Sequence, residues 1–141
     1  DVVIANGITD SVVFRLSNGE RIGTLFKTSV SKLESRKRWM LSGVSNKGNI
    51  KVDKGAVSAL KSSKTSLLPA GVLSCFGRFE RGDIVYIKDE HENNIAAGIS
   101  NYGSSDLLQI QSLKSDRIEQ VLGHYYGDEV IHRDNMVMLN D

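Results

Sequence analysis

The sequence predicts a mainly β protein with attached helices, a compact barrel or sandwich preceded by a small strand–helix–strand unit. Three observations carry that expectation. From Ile50 onward, short apolar runs alternate with turn signals, the pattern of a small all-β core. The first 26 residues instead place an amphipathic stretch between two apolar runs. A polar hinge, Ser45-Asn46-Lys47-Gly48-Asn49, separates the two patterns.

The first run, Val2-Val3-Ile4-Ala5, is continuously apolar, which predicts a strand buried on both faces. Asn6-Gly7 turns the chain, and Thr9 is the expected N-cap of a helix through Val12, Val13 and Leu16. Asn18-Gly19 is the stop signal. A second strand covers 21–26, so the unit is βαβ and predicts parallel pairing, the edge of an absent α/β domain. Ser31-Lys32-Leu33-Glu34 matches a capping box and opens a linker helix that ends near Gly43. The expected organisation is therefore 1–28, a linker over 29–45, and a second domain over 46–141.

In that second domain, Ile50–Val52 is a strand and Asp53 opens a helix through Ala56, Ala59 and Leu60. Strands follow at 73–79, 84–87 and 95–99, with a polar hairpin loop over Asp89–Asn94. Helices are expected over 104–109 and 114–122, and a last strand over Met136–Leu139.

Composition narrows the function. The chain has 141 residues, 40% of them hydrophobic and 25% charged, which excludes disordered and collagen-like classes. No apolar run approaches the length of a membrane span. The start, Asp1-Val2-Val3-Ile4, lacks a methionine and a signal peptide, so a piece of something longer is expected. The single Cys75 cannot pair internally, which fits a reducing, cytoplasmic setting and a small packed hydrophobe. Residues 46–141 carry eleven Lys/Arg against thirteen Asp/Glu, so they lack the basic excess of a non-specific nucleic-acid binder.

Several motifs carry residue types that could do chemistry. Gly98-Ile99-Ser100-Asn101-Tyr102-Gly103-Ser104-Ser105 has phosphate-loop glycine spacing, but Ser104 stands where the loop needs lysine, so a turn and helix cap is expected. His132-Arg133-Asp134-Asn135 lacks the spacing of a kinase catalytic loop and reads as a polar turn before the last strand. Arg36-Lys37-Arg38-Trp39 joins cations to an aromatic, yet at helical spacing these spread around a cylinder and Trp39 can face a core. Lys54, Lys61 and Lys64 approach one face of the helix after Asp53, if it extends that far; a solvated face is the simpler reading. His91, His124 and His132 lack metal-ligand spacing, and no metal site is proposed.

Five blocks, taken in order, carry a family resemblance. They are Gly23-Thr24-Leu25-Phe26 with Ser35-Arg36-Lys37-Arg38-Trp39, Val52-Asp53-Lys54-Gly55-Ala56, Ser66-Leu67-Leu68-Pro69-Ala70-Gly71-Val72 and His132-Arg133-Asp134-Asn135. Together they resemble the C-terminal region of microbial glutamate 5-kinases. Gly77–Val85 with Ile95-Ala96-Ala97-Gly98 resembles a PUA domain, a small pseudo-barrel found in many RNA-modifying enzymes. The resemblance implies a PUA-like pseudo-barrel preceded by a βαβ remnant of an amino-acid-kinase domain. It also implies a cytoplasmic, homo-oligomeric parent that uses ATP and Mg²⁺ to phosphorylate L-glutamate to glutamyl 5-phosphate, the first committed step of proline biosynthesis. The family's phosphate, lysine and glutamate sites fall before Asp1, so no catalytic, cofactor-binding or metal residue is assigned here. The fragment is expected to be regulatory or structural, with the kinase domain of the same polypeptide as its partner. The alternative is a module that binds structured RNA. In RNA-binding PUA domains the first helix and the loop after it commonly face nucleic acid, which implies Lys54, Lys61 and Lys64 as phosphate contacts. One departure stands out: the family has a glycine-containing turn where this chain reads Ile110-Gln111-Ser112-Leu113.

Overall fold

A computed structural model describes residues 1–27, 39–40, 47–63 and 65–139. The expected capping box and linker helix over 29–45, the Arg36–Arg38 cluster and Lys64 lie outside the described residues, apart from Trp39 and Met40, which are helical. The chain forms two compact units, Asp1–Ser35 and Arg36–Asp141.

In the first unit, β1 (Val2–Ile4) and β2 (Thr24–Phe26) flank α1 (Val12–Ser17). The expected parallel pairing is corrected, because the strands are antiparallel, with Val2 opposite Phe26 and Ile4 opposite Thr24. The reason is local. A six-residue helix is only about 9 Å long, and Gly23 returns the chain against Ile4 and Ala5, so close that a side chain there would strike the Ile4 carbonyl. β2 therefore begins where β1 ended. Burial on both faces of β1 is also corrected, since Val2 and Ile4 are 62% and 63% exposed. The helix starts later than expected, with Ser11 as its N-cap, and its hydroxyl makes no capping bond. Its end matches the expectation. Gly19 N–H donates to Leu16 O and Glu20 N–H to Arg15 O, which satisfies the last carbonyls.

The second unit holds β3 (Gly48–Val52), α2 (Lys54–Ser63), β4 (Val72–Gly77), β5 (Ile84–Lys88), β6 (Asn94–Ile99), α3 (Ser104–Ile110), α4 (Ile118–Leu122) and β7 (Met136–Met138). Short 3-10 turns occupy Pro69–Gly71, Ser115–Arg117 and Arg133–Asn135. The strands form one mixed sheet in the order β4-β3-β5-β6-β7, with β3 and β5 parallel and every other pair antiparallel. A bridge between Leu67 and Ile131 joins the segment entering β4 to the segment entering β7, so the two edges of the sheet meet outside its strands. This is a pseudo-barrel.

Period-2 burial explains the register. Ile50 and Val52 of β3 point inward with Val85 and Ile87 of β5, where they meet Phe79, Leu107 and Ile118. Ile84 and Val137 face the other side and are covered by Met40. Met40, not Trp39, is the buried residue of that helical turn, and Trp39 is 48% exposed. The β5–β6 hairpin is shaped by Asp89, whose carboxylate accepts the His91 and Asn93 N–H groups at 2.9 Å each. After α3 the chain makes a type II turn: Gln111 has φ −54° and ψ 140°, Ser112 has φ 63°, and Leu113 N–H donates to Ile110 O at 3.1 Å. That left-handed position favours glycine and costs a serine about 1–2 kcal/mol.

Candidate functional site

An open groove of about 320 Å³ with apolar walls lies between α2 and residues 65–71. One wall is the Gly55, Ala56, Ala59 and Leu60 face of α2. The other comprises Thr65–Leu68 with Ala70 and Gly71. Asp53 starts the helical wall by accepting the Ala56 N–H at 2.7 Å. Close approach of the walls requires glycine at 71, because a Cβ there would lie 2.7 Å from the Ala56 methyl. The Gly71 carbonyl accepts the Asp53 N–H at 3.1 Å.

The far wall is tied to the end of the chain. Leu67 N–H donates to Ile131 O at 2.9 Å, and Val130 N–H donates to Leu67 O at 2.8 Å. Ser66 Oγ, on the groove, accepts the Arg133 N–H at 3.1 Å. The His132–Asn135 motif is the polar turn expected before β7, capped by His132 Nδ1, which accepts the Asp134 N–H at 3.2 Å. Its position beside the groove is what the sequence could not show. The Arg133 backbone is thereby tied to the groove's wall, while its side chain, 62% exposed, lies 3.6 Å from the Asp134 carboxylate. Only the adjacency of Ser66 and Arg133, 67 residues apart, reveals it.

The lysines of α2 lie outside the lining of this groove. Lys54 lines a separate cavity of about 200 Å³ with Val57, Ser58, Asp89, Glu90 and His91. It pairs with Glu90 at 3.8 Å while itself 82% exposed. Lys61, seven residues on, shares that helical face and is exposed, whereas residues 55, 56, 59 and 60 line the groove. Lys64 lies outside the described residues. The structure thus keeps Lys54 and Lys61 together beside the groove, not inside it.

The remaining polar clusters hold the fold. Tyr102 is fully buried; its hydroxyl donates to Gly127 O at 2.6 Å and accepts the Tyr126 N–H at 3.0 Å. Burial pushes its hydroxyl above the ordinary tyrosine range. Arg81 stacks 4.1 Å from the centre of the Tyr126 ring, and His124 Nε2 lies 3.2 Å from Asp106 Oδ2. Burial likewise raises the Cys75 thiol, whose Sγ donates to Ser104 O at 3.6 Å, as a packed small hydrophobe should. Asp83 is held below the ordinary aspartate range, first by the Glu80 N–H and then by Lys47 at 2.9 Å. Gly103 caps α3 and Ser104 begins it, as the turn-and-cap reading of 98–105 expects.

Residues 48–122 match the PUA domain family model. The chain belongs to the PUA domain family. The matched PUA segment contains β3 through α4 and both walls of the groove, while the Arg133 turn and β7 lie beyond it. Among curated relatives, the chain is 45% identical over 137 residues to a glutamate 5-kinase of Dehalococcoides mccartyi (strain CBDB1), covering 97% of this chain and 37% of the relative. It is 41% identical over 141 residues to the glutamate 5-kinase of Vibrio campbellii, again covering 37% of it. The chain thus spans little more than a third of the length of these relatives. Among solved structures, a PUA domain from Aeropyrum pernix K1 is 29% identical with a TM-score of 0.45, covering 61% of this chain and 41% of that one.

Proposed function

We propose that these residues belong to a glutamate 5-kinase, in which the PUA module is regulatory or structural and the chemistry is performed elsewhere in the polypeptide. The supporting observation is the 45% identity across 97% of the chain to a glutamate 5-kinase more than twice its length. In this reading, 1–28 is the edge of the amino-acid-kinase domain, 29–45 the linker and 46–141 the PUA domain. The exposed apolar residues of the first unit, among them Val2, Ile4, Phe14 and Phe26, fit a piece that a larger domain would cover.

The whole enzyme would transfer the γ-phosphoryl group of ATP, with Mg²⁺, to the side-chain carboxylate of L-glutamate in the cytoplasm, as a homo-oligomer. Such chemistry rests on positioning and charge neutralisation. The residues here do not fit that role. Gly98–Ser104 has no lysine for a phosphate, and among the described residues no three His, Cys, Asp or Glu side chains gather where they could hold a metal. Among the described residues, no helix is long and apolar enough to cross a membrane. The test is deletion of 46–141 from the whole polypeptide. The regulatory reading expects altered assembly or proline inhibition with some glutamate phosphorylation retained, and unchanged assembly and inhibition would count against it.

A second reading, binding of structured RNA, is favoured by one observation: the groove lies between the first PUA helix and the loop after it. Lys54, Lys61 and Lys64 are its candidate phosphate contacts. A salt titration with tRNA tests it, because phosphate contacts strengthen as salt falls. No binding at low salt removes the idea.

A further inference from the structure

Two Asn-Gly steps stand in the sequence, Asn6-Gly7 and Asn18-Gly19, and both are exposed. Asparagine is chemically labile, and a following glycine has no Cβ to shield its backbone nitrogen from the asparagine side chain. Access to water does not separate the two steps. Hydrogen bonding does. At Asn18 the helix α1 ends, and the Gly19 N–H donates to the Leu16 carbonyl at 3.0 Å. The nitrogen that would attack is therefore committed to the helix cap. At Asn6 the arrangement is reversed. The Gly7 N–H donates to no group among the described residues. The Ile8 N–H donates to Asn6 Oδ1 at 3.0 Å, which folds the side chain back along the Gly7 peptide. The Thr9 N–H closes the same turn by donating to the Asn6 carbonyl at 3.1 Å.

We propose that Asn6 is a site of spontaneous deamidation, its side-chain amide exchanged for a carboxylate through a cyclic imide with Gly7. The Gly7 nitrogen, its proton taken by solvent hydroxide, forms a bond to Asn6 Cγ. Negative charge develops on Oδ1, where the Ile8 N–H already donates, the arrangement that stabilises an oxyanion. The Cγ–Nδ2 bond then breaks, and the nitrogen leaves as ammonia after taking a proton from water. Water opens the imide at either carbonyl. One opening gives aspartate, the other isoaspartate with an extra carbon in the main chain. Both products place a negative charge in the turn between β1 and α1.

The experiment incubates the full-length polypeptide at mildly alkaline pH, folded and in concentrated urea, as wild type and Gly7→Ala. Peptide mass spectrometry with electron-transfer fragmentation follows aspartate and isoaspartate at positions 6 and 18. A Cβ at Gly7 meets nothing within 4 Å and its φ is not left-handed, so the variant keeps the fold. In folded wild type, Asn6 is expected to convert about two- to tenfold faster than Asn18, the factor set by the hydrogen bond that Gly19 must break. In urea that bond is gone and the two rates converge. Gly7→Ala slows conversion at Asn6 and leaves that at Asn18 unchanged. Equal rates in the folded protein, or faster conversion at Asn18, overturn the proposal, as does an Asn6 that reacts only in urea. A ratio that persists in urea assigns the difference to neighbouring residues instead of the turn, and overturns it as well. Undiminished conversion at Asn6 in Gly7→Ala rules out the imide route and has the same consequence.

Discussion

Ser66 Oγ accepts the backbone N–H of Arg133 at 3.1 Å, joining the groove's wall to the turn that enters β7 across 67 residues of chain. The bond lets a surface loop and the last strand settle as one piece. Ser66→Ala leaves that N–H without its partner and is expected to cost about 1 kcal/mol, the usual net worth of such a bond. Urea unfolding of wild type and variant measures it. An unchanged midpoint would show that water replaces the serine.

Gly71 and Ala56 set the opposite constraint. Gly71→Ala introduces a methyl 2.7 Å from the Ala56 Cβ, and overpacking of this kind costs about 1–3 kcal/mol. Adding Ala56→Gly makes room and is expected to recover part of the loss. A double-mutant cycle reads the coupling directly. Additive effects would mean that the two walls do not touch.

Tyr102 carries a double load inside the second unit. Tyr102→Phe leaves the Gly127 carbonyl and the Tyr126 N–H without the hydroxyl that serves both, at an expected cost of about 1–3 kcal/mol. The pH dependence has a definite sign. Burial raises the folded-state pKa of this hydroxyl above its unfolded value, so its contribution is complete below the unfolded pKa of about 10 and is lost as pH rises through the folded pKa. Wild type should therefore lose stability in alkali more steeply than Tyr102→Phe, as followed by circular dichroism.

Asp83 provides the acid counterpart. Its carboxyl is lowered first by the Glu80 N–H and then by Lys47, so its contribution is present above the unfolded pKa of about 3.9 and is lost as pH falls through the lower folded value. Asp83→Asn should cost about 1 kcal/mol at neutral pH and flatten the stability profile below pH 4. Parallel profiles for the two proteins would refute this assignment.

Much of the second unit could be read from local chemistry because its signals act over a few residues. The alternation of Ile50 and Val52 with Asn49 and Lys51 sets a strand, Asp53 caps a helix, and Asp89 turns a hairpin. The first unit misled for a physical reason. Continuous apolar residues such as Val2–Ile4 report what a strand needs, not what covers it, and pairing direction depended on where Gly23 delivers the chain. The groove was half legible. The glycines and alanines of its walls stood in plain view, yet the bonds that assemble it, from Arg133 to Ser66 and from Ser112 to Val72, span 67 and 40 residues. Ser112 did leave a trace, as a serine where a glycine-containing turn was expected, and the φ of 63° explains why that position stood out.

The most direct measurement is ATP turnover by the full-length polypeptide with L-glutamate and Mg²⁺, run beside the 141-residue chain alone. Release of ADP that depends on L-glutamate in the former, with none in the latter, is the predicted result. No glutamate-dependent turnover by the full-length polypeptide would contradict its assignment as a glutamate 5-kinase.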